Sequence, residues 1–398
     1  MTVFRAAATK VCINVRACSK DQAGRSWPGR GTAGLSQLVP PPIRRQADRG
    51  RPNVWKRPLA CVLLSGVIVG VLFSATGCSS ESSSNAAVNP ARAKPGGGRY
   101  RVVTTCGMVT DIVRIVAGDK AEVIGLMGEG IDPHLYKPTR SDVKALMEAD
   151  VVFYSGLMLE GRMGDTFAQV ARTGKPVYAV TEGIDESYLR EPPEFAGHYD
   201  PHVWMDVSAW SRCVEFVATT LGEYDPSHAA DYSRNAEAYR RQLKELDDYV
   251  RRVIATVPKD QRVLVTAHDA FGYFSRAYDI PVRSVQGIST ESEPGVDDIN
   301  RLVDFIVEHK VKAIFVESSV SSRNLQAVVE GTGRKGRKVA QGGELFSDAM
   351  GKSGTYEGTY IGMMDHNATT VARGLGGDAP EGGFQGRLTP AARDEDRK

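Results

Sequence analysis

The stretch PSHAADYSRNAEAYRRQLKELDDYVRRVIATV, residues 226–257, has no internal glycine or proline. Within it Tyr232, Ala236, Tyr239, Leu243, Leu246, Val250 and Val253 recur at spacings of three and four. That period puts all seven on one face of a single amphipathic helix. At 1.5 Å per residue such a helix spans about 45 Å, the length of a domain. A helix this long between two other blocks of chain acts as a spine. It also limits hinge motion, because hinges are usually loop or element-terminal residues.

On both sides of the spine, strand and helix patterns alternate. Before it, strands are expected at Arg101–Thr105, Val123–Leu126, Val151–Tyr154 and Val177–Val180, with helices at Met108–Ala117, Ser141–Ala149 and Met163–Arg172. Thr139 and Asp142 have the spacing of a capping box for the second helix. After the spine, strands are expected at Arg262–Ala267, Val282–Val285, Ala313–Val316 and, weakly, Val339–Ala340. Helices begin at Phe271 and run over Asp297–His309, Leu325–Glu330 and roughly Gly358–Leu375. Repeated β-α units imply parallel sheets covered by helices. The expected fold is therefore α/β: two lobes, residues 99–225 and 258–375, each a parallel sheet flanked by helices, bridged by residues 226–257. The Gly/Pro/polar tail, residues 376–398, is expected to be disordered.

The N-terminal part is a different kind of sequence. Residues 1–77 carry 12 Lys/Arg and 2 Asp/Glu, a net +10, so the remainder carries −8 within the whole-chain +2. An acidic mature chain argues against a nucleic-acid partner, which wants a basic face. Lys56 and Arg57 precede a nearly unbroken apolar run, Leu59–Phe73, and small residues lead from it to Cys78. A basic segment, a short apolar core and a small-residue exit make a secretory signal, too short for a membrane span. Ending on Gly77-Cys78, residues 54–77 look like a lipoprotein signal peptide, with Cys78 lipidated as the mature N-terminus. Residues 78–98 then read as a flexible tether. Residues 1–53, Arg-rich and containing Pro40-Pro41-Pro42, fit no signal, and the reading frame is expected to start at Val54. Of the six cysteines, only Cys106 and Cys213 lie in the folded part; an oxidising compartment would let them pair if they are close.

Chemistry concentrates in two echoing stretches, Asp132-Pro133-His134-Leu135-Tyr136 and Asp200-Pro201-His202-Val203-Trp204. Proline fixes its own φ and pushes the preceding residue out of helical geometry, so each histidine sits on a stiff turn. A stiff turn suits a metal ligand, whose ring must be aimed. His268 lies at the exit of the first strand of the second lobe, and Asp348 follows its last strand. Ligands of open α/β sheets bind beyond the carboxyl ends of the strands. Three imidazoles and one carboxylate are a plausible four-ligand shell for a borderline divalent metal. Taken singly, each histidine has a plainer reading as a hydrogen-bonded surface residue.

Two look-alikes are set aside. Gly331-Thr332-Gly333-Arg334-Lys335-Gly336 matches a dinucleotide fingerprint but ends a helix, and Gly351-Lys352-Ser353 lacks the earlier glycine of a P-loop.

Together with His268-Asp269-Ala270-Phe271-Gly272-Tyr273-Phe274, Phe315-Val316-Glu317 and Phe346-Ser347-Asp348-Ala349-Met350-Gly351, the two Asp-Pro-His motifs make the chain resemble the zinc/manganese-type solute-binding proteins of bacterial metal ABC transporters. The resemblance covers roughly residues 101–375. It implies one metal in a cleft between the lobes, held by His134, His202, His268 and Asp348. It also implies an extracytoplasmic, membrane-tethered, non-enzymatic protein that delivers its ion to a permease and an ATPase, and the chain is expected to act as a monomer. Imidazole ligands favour zinc over manganese by the Irving–Williams order, with manganese or iron as alternatives. Glu317 is expected to orient a ligand rather than bind the ion. His198 is an outside candidate; His228, His309 and His366 are expected at or within helices, away from the metal. Two rival readings are a zinc-dependent hydrolase, disfavoured by the absence of His-Glu-x-x-His and by a four-ligand shell, and a metal-binding adhesin.

Overall fold

The computed structural model describes residues 99–388. The expectations for the leader, the signal peptide, Cys78, the tether and residues 389–398 lie outside the described residues.

The first lobe starts with β1 (Tyr100–Thr104), α1 (Gly107–Ala117), β2 (Ala121–Gly125), α2 (Arg140–Glu148), β3 (Val151–Tyr154), α3 (Gly164–Arg172) and β4 (Val177–Ala179). Its sheet is wholly parallel in the order β2-β1-β3-β4. Val102 pairs with Val123 on one side and Val151 on the other, so β1 is central. Its β-branched residues are buried, as befits a strand covered by helices on both faces. Thr139 caps α2 through the anticipated reciprocal bonds with Asp142.

An 18-residue helix, α4 (Val207–Tyr224), closes this lobe. The strand–helix alternation read from sequence leaves it out. Its signal is nevertheless local: the Asp206 carboxylate accepts from Ser208 N at 3.0 Å and Ala209 N at 3.2 Å. That is an N-cap. The helix buries Trp210, Cys213, Val214, Val217 and Leu221.

The spine is α5 (Ala229–Ala255), 27 residues or about 40 Å. All seven of its periodic residues are buried. Each Leu or Val so buried contributes about 1.5–3 kcal/mol. The second lobe follows as β5 (Leu264–His268), α6 (Gly272–Tyr278), β6 (Val282–Gln286), α7 (Val296–Glu308), β7 (Ala313–Glu317), α8 (Arg323–Arg334), β8 (Ala340–Leu345) and α9 (Tyr360–Gly374). Its strands form two parallel pairs, β5-β6 and β7-β8, with β5 lying against β7. The glycines of the 331–336 stretch fall in the last turn of α8 and at Gly336, whose φ is 77°.

The spine touches α1 and α4 of the first lobe and α6 and α9 of the second. Asp111 of α1 ties these together: its Oδ2 accepts from Tyr239 of the spine at 3.0 Å and from Tyr360 N of α9 at 3.2 Å. One hydrophobic core runs from the first lobe through the spine into Phe271, Phe274, Tyr360 and Met363. A smaller core, including Val265, Leu302, Ile306 and Val328, fills the rest of the second lobe.

One expectation is corrected. Residues 376–388 are folded, not a disordered tail. Phe384 and Leu388 are buried, and the Phe384 ring lies 5.4 Å from that of Tyr249. Asp365 Oδ1 accepts from Phe384 N at 2.8 Å. Two apolar anchors hold a stretch whose average composition is polar. Among the described residues no helix is long and apolar enough to cross a membrane. Cys106 and Cys213 are both buried free thiols.

Candidate metal centre

Each Asp-Pro-His stretch folds as a turn closed by its own aspartate. Asp132 Oδ1 accepts from His134 N at 2.8 Å, and Asp200 Oδ1 accepts from His202 N at 3.0 Å. The Asx turn, with proline between the two partners, is the stiffness anticipated from sequence. The trailing aromatics then do different things. Tyr136 donates to Asp142 at 2.7 Å, anchoring the start of α2. Trp204 Nε1 donates to the carbonyl of Ser347 at 2.9 Å, pinning the residue before Asp348. Tyr360 in turn donates to the Trp204 carbonyl at 2.7 Å.

His134, His202, His268 and Asp348 come together, two from each lobe, with one ligand atom from each lying within 4.8 Å of all the others. All four are buried. His134 Nε2 and His202 Nε2 are 3.3 Å apart. Asp348 faces the three rings at 3.7 Å (His134), 3.4 Å (His202) and 3.2 Å (His268). A tetrahedral ion with bonds of about 2.0–2.1 Å holds its ligand atoms about 3.3–3.4 Å apart, so these separations suit one. The donor set fits a second test. His268 Nε2 and both carboxylate oxygens of Asp348 are buried with no hydrogen-bond partner. Buried polar atoms are normally satisfied, and a cation would satisfy these.

Two of the rings are held from behind. His202 Nδ1 lies 2.8 Å from Asp200 Oδ1, and His268 Nδ1 lies 2.5 Å from Glu317 Oε2. The other oxygen of Glu317 accepts from Ala267 N at 2.7 Å and His268 N at 2.8 Å, where β7 meets the end of β5. Glu317 thus holds the His268 ring from behind, the position anticipated for a group that orients a ligand. Asp132 Oδ2 accepts instead from Thr290 Oγ1 at 2.6 Å, a contact that crosses between the lobes.

The electrostatics separate the histidines. Burial, helped by the other two rings, pushes the His134 imidazole down to about 3. For His202, burial disfavours the charge, but Asp348 and Asp200 outweigh it and raise the ring to about 9. His268 is likewise raised well above the ordinary range, burial being overcome by Glu317 and Asp348. Burial alone would raise Asp348; His268 and His202 instead hold it well below the usual carboxylate range.

The remaining histidines lie elsewhere. His228 precedes the spine and pairs with Asp225 at 2.6 Å. His309 ends α7, and its Nδ1 lies 3.0 Å from the Phe305 carbonyl. His366 in α9 lies 2.9 Å from the Glu344 carbonyl. His198 is exposed and lines, with His134, Met158, Phe195, Ser289 and Glu291, a cavity of about 220 Å³ leading to the centre. The supporting bonds of Asp200 and Trp204 escaped sequence reading, although both residues stand in a quoted motif, because their partners are set by tertiary packing.

A family profile described as ZnuA, zinc-uptake complex component A, periplasmic, matches residues 102–374. The chain is 43% identical over 322 residues to the zinc-binding protein TroA of Treponema pallidum, covering 81% of this chain and 99% of that one. It is 42% identical over 313 residues to the manganese-binding lipoprotein MntA of Bacillus subtilis, covering 78% and 99%. Among solved structures, the periplasmic zinc-binding protein TroA of Treponema pallidum superposes with a TM-score of 0.68 at 46% identity, covering 70% of this chain and 99% of that one. The Fe(III)-bound YtgA of Chlamydia trachomatis superposes with a TM-score of 0.63 at 27% identity, covering 70% and 99%. The two-lobed α/β architecture, the bridging helix and the matched length agree with these relatives, and the chain belongs to the family of periplasmic zinc-uptake component A proteins.

Proposed function

We propose that this chain is the extracytoplasmic solute-binding component of a metal ABC transporter. It captures one divalent transition-metal ion between His134, His202, His268 and Asp348 and delivers it to a membrane permease powered by an ATPase. The observation that carries this reading is the convergence of three Nε2 atoms on a carboxylate whose two oxygens are buried without partners. The ion is cargo: four side chains would hold it, whereas a catalytic zinc site typically has three protein ligands and an open position. Relatives named for zinc and for manganese both occur in the family. Zinc is the expected ion here because three imidazoles rank it above manganese. Cys78 would carry the lipid that tethers the protein, which then works as a monomer outside the cytoplasm.

Elemental analysis of the protein purified from its native host, with titration of metal-free protein by Zn²⁺ and Mn²⁺, tests the reading. One zinc per chain and tighter zinc binding are expected. Absence of tight binding of either ion overturns it. Incorporation of labelled fatty acid at Cys78, lost in Cys78→Ala, tests the anchor.

A further inference from the structure

Asp200 is the group that aims His202, and its own support comes from Arg190. Arg190 Nη1 donates to Asp200 Oδ2 at 2.6 Å, while Oδ1 serves His202. Oδ1 meets both the backbone N and the ring Nδ1 of His202 while Oδ2 meets Arg190, so the plane of Asp200 is set from both sides. Asp200 is fully buried, whereas the Arg190 side chain is 26% exposed. On the outer side of the guanidinium lies a cavity of about 380 Å³ lined by Asp269, Gly272, Ser275 and Arg283 among others. The guanidinium thus stands between solvent and the buried Asp200–His202 pair.

It reaches this place only because residue 272 is glycine. A Cβ on Gly272 would lie 1.4 Å from Arg190 Nη1 and 2.8 Å from Asp200 Oδ2. Gly272 opens α6, four residues after His268, so a notch in the second lobe admits a side chain of the first. Backbone bonds brace the same arrangement. Asp200 N donates to the Arg190 carbonyl at 2.8 Å. Tyr273 Oη accepts from Arg190 N at 3.0 Å and donates to the Asp200 carbonyl at 3.1 Å.

We propose that Arg190 is a positioning residue for the metal centre, acting through the Gly272 notch to lock Asp200 and thereby the orientation of the His202 ring. The inference rests on the metal-binding function proposed above. His268 draws its support from Glu317, which backbone amides hold in place; only the His202 side depends on a charged side chain ten positions away that must pass through a gap in the other lobe.

The test uses the full chain as wild type, Arg190→Met, Gly272→Ala and the double variant, with Arg190→Gln as a second probe that keeps the stem and a donor. Three quantities are read: Zn²⁺ affinity against a chromophoric chelator, the visible absorption of the Co²⁺-loaded protein, and the thermal midpoint of the metal-free protein. Loss of such outer supports typically weakens metal binding about 10–100-fold. Arg190→Met and Gly272→Ala should each show a loss of this size and a changed Co²⁺ band. Both act on the same Arg190–Asp200 unit, so the double variant should bind no more weakly than the weaker single variant. A merely structural role would lower the metal-free midpoint and leave the Co²⁺ band unchanged. Wild-type affinity and band in Arg190→Met or Arg190→Gln, or losses that multiply in the double variant, overturn the inference. Failure of the wild type to bind Zn²⁺ overturns the underlying metal-binding reading instead.

Discussion

Metal uptake by this centre should displace protons from its imidazoles. In the metal-free protein the His202 ring is raised to about 9, so it is protonated at neutral pH, and His268 is shifted in the same direction. His134, pushed down to about 3, is already neutral and adds nothing in this range. A ligand imidazole must be neutral at Nε2, so an incoming dication exchanges for the protons these rings hold. Each proton released offsets part of the charge the ion brings into the buried centre. The sign follows from the raised values. The protonated His202 ring persists below about 9, the bound state excludes its proton, and affinity is lost as pH falls. One proton held two units above the working pH opposes binding by about 2.7 kcal/mol, roughly a hundredfold. With the His202 proton displaced, Zn²⁺ affinity should rise at least about tenfold per pH unit between about pH 6 and about pH 8. Chelator competition across that range gives the slope, and calorimetry in buffers of different ionisation enthalpy gives the proton count. A flat profile, or release of fewer than one proton per ion, would refute the electrostatic account of the centre.

Three further outcomes follow from the geometry. His268→Ala should abolish tight Zn²⁺ binding while His198→Ala changes it little, because His198 lines only the approach cavity; isothermal titration distinguishes them. Glu317→Gln should weaken Zn²⁺ about 10–100-fold without removing a ligand, since it disturbs the His268 Nδ1 bond, and unchanged affinity would count against that role. Thr139→Ala removes the α2 capping box and should cost about 1 kcal/mol in denaturant unfolding while leaving metal affinity intact.

The sequence by itself determined the periodic elements. The spine was legible because an amphipathic face repeats over many turns without glycine or proline, and every residue of that face is buried. The four candidate ligands were legible because proline stiffens two of the turns and strand ends place the other two. What escaped reading was non-periodic or remote. The α4 helix is buried over much of its surface, so its boundaries rest on the Asp206 cap more than on a stripe. Residues 376–388 are held by two anchors, Phe384 and Leu388, that average composition hides. Only the tertiary structure decided how the ligands are aimed: Trp204 pins Ser347 across 143 positions, Glu317 holds His268 across 49, and Gly272 is glycine because a guanidinium must pass it. Local chemistry dictates which side chains can bind a metal, whereas the second layer that points them comes from contacts between distant segments, which no local pattern encodes.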